Sequence, residues 1–599
     1  MFGVETYEQW QNLCAVFYDG ADRFGDKPFL WTKIAGKYRS LSWAETAKQI
    51  SLLSRGLRSL GIEQGDRVVL VAENRPEWPI SELAIMAAGA IAVPAYTTNT
   101  VDDHIHILNN SGAKAVIVSS AQLAKNLLPA ALRSETCKIV VAIEEPHVTQ
   151  SLAKVTLHKW DDVLKTGGTL PDDVREMAAK VKRTDTAVII HTSGTGGAPK
   201  GVMLSNGAII ANCMGAYDLL RDDIEYAEEV FLSFLPLSHS YEHMAGQFVA
   251  ISIGAQIYYA ESVDKLVGNM AEVRPTIMTA VPRLYEAIHA RIQRGIADQK
   301  GLKKKLFLRA LELGAKRYED PESLSLGERI LDKLLDRLVR AKVAKRFGGR
   351  LKFFVSGGAP LNYDIGLYFT ALGVKLLQGY GQTEAAPLIS GNKPEGIKIH
   401  TVGPPVKGVE VKIAEDGEIC VSGEMVMQGY WGDSAATKEV IKDDWLHTGD
   451  IGLIDNDNHI QITDRKKDII VNSGGDNIAP QRVEGFLTLQ PEIGQAMVYG
   501  DKRPHLVALL VPEIDFVGDW AKKTGKRNDF AAIAKDSDFH EQVAEAVGRV
   551  NKDLAVAERV RRFIVVGNPF SVENGMMTPS MKIRRHIIKK TFGKDLDGL

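Results

Sequence analysis

Short apolar runs alternate with segments of helical periodicity along the first part of the chain. The segment Trp43–Gly61 has apolar residues at helical spacing, with Ser42 and Glu45 as a capping box at its start and Gly61 as its stop. Buried strands are predicted at Arg67–Val71, Ala113–Ser119, Lys138–Ile143 and Ala187–Ile190. This alternation predicts an α/β fold in which parallel sheets are covered by helices.

Three of the predicted strands run directly into polar, glycine-rich segments. Ligands of open α/β sheets bind beyond the carboxyl ends of the strands, so the three segments are expected to share one crevice. One such segment alone would favour an ordinary turn. The strand and segment pairs are Ala187–His191 with His191–Gly201 (HTSGTGGAPKG), Leu351–Val355 with Ser356–Pro360, and Lys375–Gln378 with Gly379–Glu384.

Residues 291–350 are distinctly basic, with 17 Lys/Arg against 8 Asp/Glu. Two interpretations are open for them. The favoured one is a helix pair packed on the domain with a solvated basic face. The other is a basic amphipathic surface that contacts anionic lipid. The apolar residues at helical spacing are Ile330, Leu331, Leu334, Leu335, Leu338 and Val339.

The composition of the chain excludes only a few classes of protein. The net charge of −2 over 599 residues gives no reason to expect nucleic acid. The four cysteines are widely spaced, which predicts neither a zinc site nor a disulfide framework and fits a reducing compartment. The start of the chain has no secretory signal pattern, and the longest apolar stretch, Leu83–Ala95, is too short to span a bilayer. We therefore expect a cytoplasmic protein, with peripheral membrane association as a further option.

The loop HTSGTGGAPKG has the composition of a phosphate-binding loop. Its glycines allow backbone N–H groups to turn toward an anion, and Lys200 adds a positive charge. It is not a Walker A loop, because Ala198-Pro199 stand where the second glycine belongs and Lys200 is followed by glycine. The residues predicted to hold phosphate are Thr192, Ser193, Gly194, Thr195 and Lys200.

The loop resembles the signature loop of adenylate-forming enzymes, the AMP-binding superfamily of acyl-CoA synthetases, peptide-synthetase adenylation domains and beetle luciferases. The other signature motifs of that superfamily have counterparts in the same order along the chain. The length, the PSMK ending and the basic insertion look most like the long-chain fatty acyl-CoA synthetases. The matching segments are Leu235–Glu242 (LPLSHSYE), Gly379–Glu384 (GYGQTE), Trp445–Asp450 (WLHTGD), Asp464–Lys467 (DRKK) and Thr578–Lys582 (TPSMK).

The resemblance implies a fold and a division into domains. Residues 1–464 would form a large N-terminal AMP-binding domain, with parallel and mixed sheets covered by helices, a distorted barrel and the basic helical insertion at 291–350. Residues 465–599 would form a small mobile α+β lid domain. A homodimer is a further option.

The resemblance also implies the reaction. A long-chain fatty acid would attack the α-phosphate of ATP with Mg²⁺ present, pyrophosphate would leave, and CoA would then displace AMP from the acyl-adenylate. One alternative transfers the acyl group to an acyl carrier protein. Another is a fatty-acid-binding relative without activity, against which the presence of Glu384, Asp450 and Lys582 speaks.

The resemblance assigns roles to residues far apart in the sequence. Glu384 would bind Mg²⁺, Thr383 the α-phosphate, and Asp450 and Arg465 the ribose. His239 would lie between the fatty acid and the nucleotide, or else be a hydrogen-bonded structural histidine. The walls around adenine would be Gly357, Gly358, Ala359, Gly379, Tyr380 and Gly381.

The C-terminal domain is expected to alternate between two positions. Lys582 would reach the carboxylate and α-phosphate oxygens during adenylation. The domain would then turn about Lys467 and bring Ser473 and Gly474 to the pantetheine channel.

The sequence departs from the superfamily pattern at four positions, none of which removes an obligatory charge. Gly196 replaces a hydroxyl residue and His191 a frequent tyrosine. His243 stands where long-chain members often have arginine, and Val471 where some relatives have a lysine used in the second half-reaction. These departures bear on rate and on the CoA step.

Overall fold

The computed structural model describes residues 3–147, 154–192, 198–297, 299–572, 574–578 and 583–599. Some residues singled out in the sequence lie outside these ranges. They are Ser193, Gly194, Thr195, Gly196 and Lys582.

Two eight-stranded sheets form most of the large N-terminal part. The first has the order β15-β14-β13-β12-β10-β11-β1-β2, parallel except for the outer pairs β1–β2 and β14–β15. Its strands are β1 (Pro28–Ile34), β2 (Lys37–Ser42), β10 (Val230–Ser233), β11 (Gln256–Tyr259), β12 (Ile277–Ala280), β13 (Phe353–Ser356), β14 (Leu376–Gly381) and β15 (Leu388–Gly391).

The second sheet has the order β18-β9-β8-β4-β3-β5-β6-β7. Strands β8, β4, β3, β5, β6 and β7 are mutually parallel, and β9 and β18 continue the sheet in antiparallel pairing. Its strands are β3 (Arg67–Val71), β4 (Ile91–Pro94), β5 (Ala115–Val118), β6 (Ile139–Ala142), β7 (Thr156–Lys159), β8 (Thr186–Thr192), β9 (Lys200–Ser205) and β18 (Gly429–Tyr430).

Smaller sheets follow toward the C-terminus. A five-stranded antiparallel sheet lies in the part of the chain where the distorted barrel was expected, and a strand pair and a three-stranded sheet lie beyond residue 469. Their strands are β16 (Glu410–Ile413), β17 (Glu418–Ser422), β19 (Ile441–Lys442), β20 (Trp445–Ile454) and β21 (Ile460–Arg465), then β22 (Ile470–Val471) and β23 (Asn477–Ile478), and β24 (Ile493–Tyr499), β25 (Leu506–Pro512) and β26 (Val560–Val565).

Helices cover the faces of these sheets. In the described ranges the α-helices are α1 (Val4–Gln9), α2 (Leu13–Phe24), α3 (Trp43–Ser59), α4 (Glu77–Ala87), α5 (Val101–Ser111), α6 (Ala121–Arg133), α7 (Trp160–Gly168), α8 (Val174–Ala178), α9 (Asn206–Leu220), α10 (Val249–Ser252), α11 (Leu266–Val273), α12 (Pro282–Ala297), α13 (Leu302–Glu319), α14 (Leu326–Leu335), α15 (Ala341–Arg346), α16 (Tyr363–Ala371), α17 (Ser434–Val440), α18 (Pro480–Thr488), α19 (Ile514–Thr524), α20 (Phe530–Ile533), α21 (Ser537–Asp553) and α22 (Arg585–Asp597). Two π-helices span Glu242–Phe248 and Asp336–Arg340, and 3₁₀ turns span Pro321–Ser323, Thr383–Ala385 and Val556–Glu558.

The periodic segments near the start of the chain fold as predicted. Helix α3 begins after Ser42, whose side chain accepts from the N–H of Glu45, while the Glu45 carboxylate accepts from the N–H of Ser42. Strand β3 has the predicted bounds, and Leu83–Ala95 runs from the end of α4 into β4. In these segments the local signals and the tertiary packing agree.

The GYG segment is not the loop that the sequence suggested. Strand β14 continues through it to Gly381 and pairs antiparallel with β15. A Cβ at Gly381 would lie 1.8 Å from the carbonyl oxygen of Pro387, so only glycine allows the two backbones to approach this closely. Glycine here serves close strand pairing, which composition alone does not distinguish from a turn.

The residues beyond 469 have hydrophobic cores of their own. One core lies between α18, α19, α21 and the three-stranded sheet, and a second lies under α22. In the larger part of the chain, one core contains strand residues of both eight-stranded sheets, and two further cores each contain strand residues of one of these sheets. No helix in the described ranges is long and apolar enough to cross a bilayer.

Candidate functional site

The glycine-rich segments meet in one cavity of about 680 Å³. It is lined by residues at the ends of β8, β13 and β14, by β20, and by the turn after β21. The site residues predicted from the sequence that line it are Thr192, Lys200, His239, Gly357, Gly358, Gly379, Tyr380, Gly381, Thr383, Glu384, Asp450, Arg465 and Lys467. The exposed residues Ala359, Ser473 and Gly474 do not line it.

Strand pairing places Lys200 beside the cavity. Strands β8 and β9 form an antiparallel pair in which Thr192 lies opposite Lys200. Lys200 is therefore the first residue of a strand, whereas the sequence suggested a loop residue. The Nζ atom of Lys200 lies 4.9 Å from the centre of the Tyr430 ring, and Tyr430 is on β18, the neighbour of β9.

Tyr430 also contacts the predicted metal ligand. Its hydroxyl donates to Oε1 of Glu384 over 2.9 Å, and Glu384 lies in the 3₁₀ turn that follows β14. Among the described residues, Oε2 of Glu384 has no hydrogen-bond donor. Mg²⁺ prefers carboxylate oxygens and retains several waters, so this half-buried carboxylate at an open cavity fits it. Sequence reasoning missed Tyr430, since β18 has only two residues and no motif marks it.

Asp450 is held by two side chains. The Tyr380 hydroxyl donates to Oδ2 over 2.7 Å, and Nε of Arg465 donates to Oδ1 over 2.9 Å. Burial raises the pKa of Tyr380 far above its usual value, and the nearby Asp450 carboxylate raises it further, so the hydroxyl remains a donor. Each carboxylate oxygen can accept a second hydrogen bond, which suits the ribose hydroxyls of ATP.

The motif around His239 supports the turn after β14. The hydroxyls of Ser240 and Thr383 lie 2.9 Å apart. Nδ1 of His239 accepts from the N–H of Tyr241, which fixes the tautomer with its proton on Nε2. The Tyr241 hydroxyl donates to the carbonyl of Val355 at the end of β13. A Cβ at Gly357 would lie 3.1 Å from the Tyr241 ring, so the chain passes close over that ring.

A π-helix with a buried carboxyl group follows this motif. Glu242 is buried and accepts hydrogen bonds from Ser233 and Thr279, at 2.6 and 2.5 Å. Burial raises the pKa of Glu242 to about 7. Nothing in the sequence signalled this helix, because a π-turn depends on packing.

His243, one of the departures from the superfamily pattern, has a hydrogen-bond partner in the structure. Nε2 of His243 lies 2.6 Å from Oε1 of Glu82 on α4, and Gln247 donates to Oε2 of the same carboxylate. All three side chains are buried. His243 thus has a buried carboxylate as hydrogen-bond partner at the position where the resemblance led us to expect arginine.

The other two described departures lie in different settings. His191 lines the cavity, its Nε2 is 2.9 Å from Oδ1 of Asn110, and burial lowers its pKa to about 3, so the ring is neutral. Val471 lies in β22 and is exposed.

The boundary between the two parts of the chain lies at the cavity. Lys467 follows β21 in a turn. The preceding Lys466 pairs with Asp416 and Glu418, at 2.6 and 3.2 Å. Thr578 and Ile583, on the two sides of Lys582, line the cavity. Thr578 and Ile583 therefore lie at the same cavity as the described residues of the other motifs.

Solved structures share the fold of this chain. The chain superposes on the adenylation domain of a carboxylate reductase from Mycobacterium chelonae with a TM-score of 0.76 and 21% identity, covering 99% of this chain and 92% of that one. It superposes on the anthranilate CoA ligase AuaEII, solved with anthranoyl-AMP, with a TM-score of 0.72, 19% identity and full coverage of both chains. These likenesses confirm the predicted α/β fold.

Sequence relatives span nearly the whole chain. The long-chain-fatty-acid–CoA ligase FadD15 of Mycobacterium bovis is 31% identical over 602 residues, covering 99% of this chain and 98% of the relative. The peroxisomal long chain acyl-CoA synthetase 6 of Arabidopsis thaliana is 31% identical over 607 residues, covering 96% and 84%.

Two family models divide the chain between them. The model of the AMP-binding enzyme matches residues 17–431, and the model of the AMP-binding enzyme C-terminal domain matches residues 467–599. The resemblance found in the sequence is thereby confirmed, and the chain belongs to the family of AMP-binding enzymes.

Proposed function

We propose that this chain is a long-chain fatty acid–CoA ligase that works through an acyl-adenylate and uses ATP, Mg²⁺ and CoA. The observation that carries the proposal is the single cavity that joins Lys200, Glu384, Asp450 and the residues flanking Lys582. The names of the relatives that span the chain support CoA as the acceptor.

The nucleoside half of ATP is proposed to lie between β13 and β14. Gly357 and Gly358 form one wall and Tyr380 the other, while Asp450 accepts from the ribose hydroxyls. Because Tyr380 and Arg465 already hold Asp450, its carboxylate needs no reorganisation when the nucleotide binds.

The phosphates are proposed to extend toward Thr192 and Lys200, which line the cavity on the two sides of the segment 193–197. The fatty carboxylate oxygen attacks the α-phosphorus, the bond to the bridging oxygen breaks, and pyrophosphate leaves. Mg²⁺, when bound, neutralises the developing charge on the phosphate oxygens. Glu384 is proposed to hold the metal, Thr383 to donate to the α-phosphate, and Lys582 to bind the charge that forms there.

The apolar side of the cavity fits an acyl chain. Beyond the nucleotide motifs the cavity is walled by α9, by the π-helix that begins at Glu242 and by the floor of the first sheet. These apolar lining residues are Ala216, Leu219, Leu220, Phe231, Met244, Ala245, Val249, Ile277 and Leu377. Burying methylene groups here gives about 0.8 kcal/mol for each CH₂, which favours long chains.

The second half-reaction is proposed to need a turn of the C-terminal domain. We place the domain boundary between residues 464 and 465, and the hinge at Lys467. Support comes from the turn after β21 and from the separate hydrophobic cores beyond residue 469. Ser473 and Gly474 are exposed away from the cavity and would meet pantetheine only after such a turn.

Peripheral contact with a membrane through residues 291–350 is also part of this proposal. Its support is the basic excess of that segment. Formation of a homodimer remains a prediction, and light scattering would test it.

A pyrophosphate-release assay tests the proposed reaction. Release should depend on a fatty acid and rise with its chain length, and acyl-CoA should accumulate only when CoA is added. Acyl carrier protein in place of CoA is the matched comparison. Faster transfer to the carrier protein than to CoA would favour the alternative acceptor. Absence of fatty-acid-dependent release would contradict adenylation.

A further inference from the structure

Helix α14 and the π-turn that follows it expose a stripe of large apolar side chains. The exposed fractions are 77% for Leu326, 64% for Ile330, 51% for Leu334 and 40% for Leu338. A soluble protein exposes single apolar residues everywhere, but a row on one helix marks an interaction surface. We call these four residues the apolar stripe.

Helix geometry keeps the stripe on one face. Residues four apart advance about 40° beyond a full turn of an α-helix, so a longer row would drift around the axis. The chain changes to the wider π-turn at Asp336–Arg340, which offsets this drift before Leu338. The opposite face carries Leu335 and Val339 into the core of the first sheet. The helix thus has one apolar face in the core and a second apolar face in solvent.

The acidic side chains of α14 and the π-turn are used within the protein. Glu328 lies 3.1 Å from both Arg309 and Lys316 on α13. Asp332 is buried between Arg317 and Arg340, at 2.8 and 2.7 Å.

Asp336 completes the same network through Arg340, at 2.7 Å. All three acidic groups are thus paired with basic side chains of the protein, although Asp336 keeps 48% of its side chain exposed. The helix therefore presents no unpaired acidic group beside the apolar stripe.

The basic side chains beside the apolar stripe are free of such pairing. In the part of the chain that the structure describes, Lys333, Arg337 and Lys342 are exposed and form no ion pair. Lys333 and Arg337 lie within one turn of Ile330 and Leu334 on the same exposed side. The net charge of the chain is −2, so this positive surface is a local feature.

We propose that the apolar stripe and its flanking Lys333 and Arg337 form a docking site for an anionic lipid bilayer. Apolar side chains between basic ones match the arrangement of interfacial helices, in which the apolar face enters the headgroup region and the cations contact anionic lipid. The positive charge selects anionic lipid over a neutral surface. Of the two interpretations open from the sequence, the surface supports lipid contact in addition to packing.

The apolar stripe is connected to the cavity through helices that pack against one another. Helix α13 packs against α16, where a Cβ at Gly314 would lie 2.4 Å from the carbonyl oxygen of Ala371. Helix α16 connects β13 and β14, whose ends line the cavity. The biological use of the docking site rests on the proposed function, because a long-chain fatty acid dissolves in bilayers. Lipid binding itself does not rest on it.

Vesicle sedimentation with the full chain tests the proposal. The vesicles are phosphatidylcholine alone or mixed with phosphatidylglycerol, and free of fatty acid. We expect binding to the mixed vesicles only. K333E/R337E should reduce the partition coefficient at least tenfold, at about fivefold for each basic side chain. I330S/L334S should reduce it by about tenfold or more.

Matched variants distinguish an effect of the apolar stripe from the general effect of changing exposed charges or exposed apolar residues. K522E/K523E changes two exposed lysines on α19, and V263S/V556S changes two exposed apolar residues elsewhere. Both should bind vesicles like the wild type. Circular dichroism checks that each variant is folded, and a folded stripe variant that still binds vesicles like the wild type overturns the proposal.

Two further outcomes are decisive. If I330S/L334S converts a dimer to a monomer and leaves vesicle binding unchanged, the stripe is an interface between two copies and the proposal is wrong. Equal binding to neutral vesicles also overturns it. Pyrophosphate release without vesicles tests the reaction separately: the stripe variants should match the wild type, and an inactive wild type contradicts the proposed function but not lipid docking.

Discussion

The two ends of the proposed nucleotide site, the proposed ribose end and the proposed phosphate end, are built differently. At the ribose end, Asp450 is 3% exposed and both of its oxygens accept hydrogen bonds from the protein. At the phosphate end, the described residues give Glu384 one such bond, from Tyr430, and Lys200 is exposed. A nucleoside keeps its charge through the reaction, whereas the phosphates and the metal change partners. A carboxylate held in place, such as Asp450, suits the nucleoside. Side chains with free hydrogen-bonding or coordination positions, such as Glu384 and Lys200, suit the phosphates and the metal.

The largest expected effect comes from Lys582, the lysine that we propose binds the charge at the reacting phosphate. We expect K582A to lower acyl-adenylate formation by more than about 10²-fold, since it removes a charge at the reacting phosphate. ATP binding should largely survive, because the ribose end is intact. The measurement is pyrophosphate release together with ATP affinity. Near-normal AMP production by K582A would remove this lysine from the site.

Removing the open carboxylate should have the next largest effect. E384A is expected to lose Mg²⁺-dependent turnover by about 10²-fold, because the metal loses its protein ligand. Y430F is the matched control, as it removes only the hydroxyl on Oε1 and should cost less than about tenfold. A magnesium titration of the rate compares them. An unchanged rate for E384A would exclude it as the metal ligand.

We expect the Asp450 carboxylate to affect the affinity for ATP more than the rate of the chemical step. D450N is expected to weaken ATP affinity by about tenfold or more and to lower thermal stability, because Arg465 loses its charged partner. The rate at saturating ATP should fall less than in E384A. Calorimetric titration with ATP and a thermal melt measure both effects. If D450N changed only the saturated rate, the proposed contrast between the two ends would be wrong.

The smallest effect on rate is expected for the buried Glu242 behind the cavity. Its pKa is raised by burial to about 7, so its folded form holds a proton that the unfolded form loses near pH 4.5. The stabilisation is full below pH 4.5 and is lost as pH rises to about 7, at roughly 1.4 kcal/mol for each pKa unit. E242Q should flatten this dependence in denaturant melts between those pH values. The same slope in both proteins would contradict a raised pKa.

Motif spacing could predict the members of the site but not their contacts. Glu384 and Asp450 were marked by their motifs, yet Tyr430 and Glu82 were not, because each acts through one side chain brought in from a distant element. The GYG segment shows the same limit. Its glycines indicated a loop, while the structure uses Gly381 for close pairing of β14 with β15.

Residues 291–350 also show a difference between what the sequence predicts and what the structure reveals. The sequence correctly indicated apolar residues at helical spacing, and Leu335 and Val339 are in the core. It could not show that Ile330 and Leu334 point away from it, since a helix with two apolar faces has the same residues as a buried one. Nor could it show that the acidic groups of α14 form ion pairs with α13.

The sequence by itself determined the fold class, the family, the order of the motifs and the helix α3 with its cap. Each of these depends on local periodicity or on residues adjacent in the chain. The tertiary structure decided the hydrogen bonds of Asp450, the place of Tyr430, the π-helix at Glu242 and the exposed face of α14. These features depend on which elements pack together. A single sequence shows which residues are present, but it does not show which distant residues contact each other.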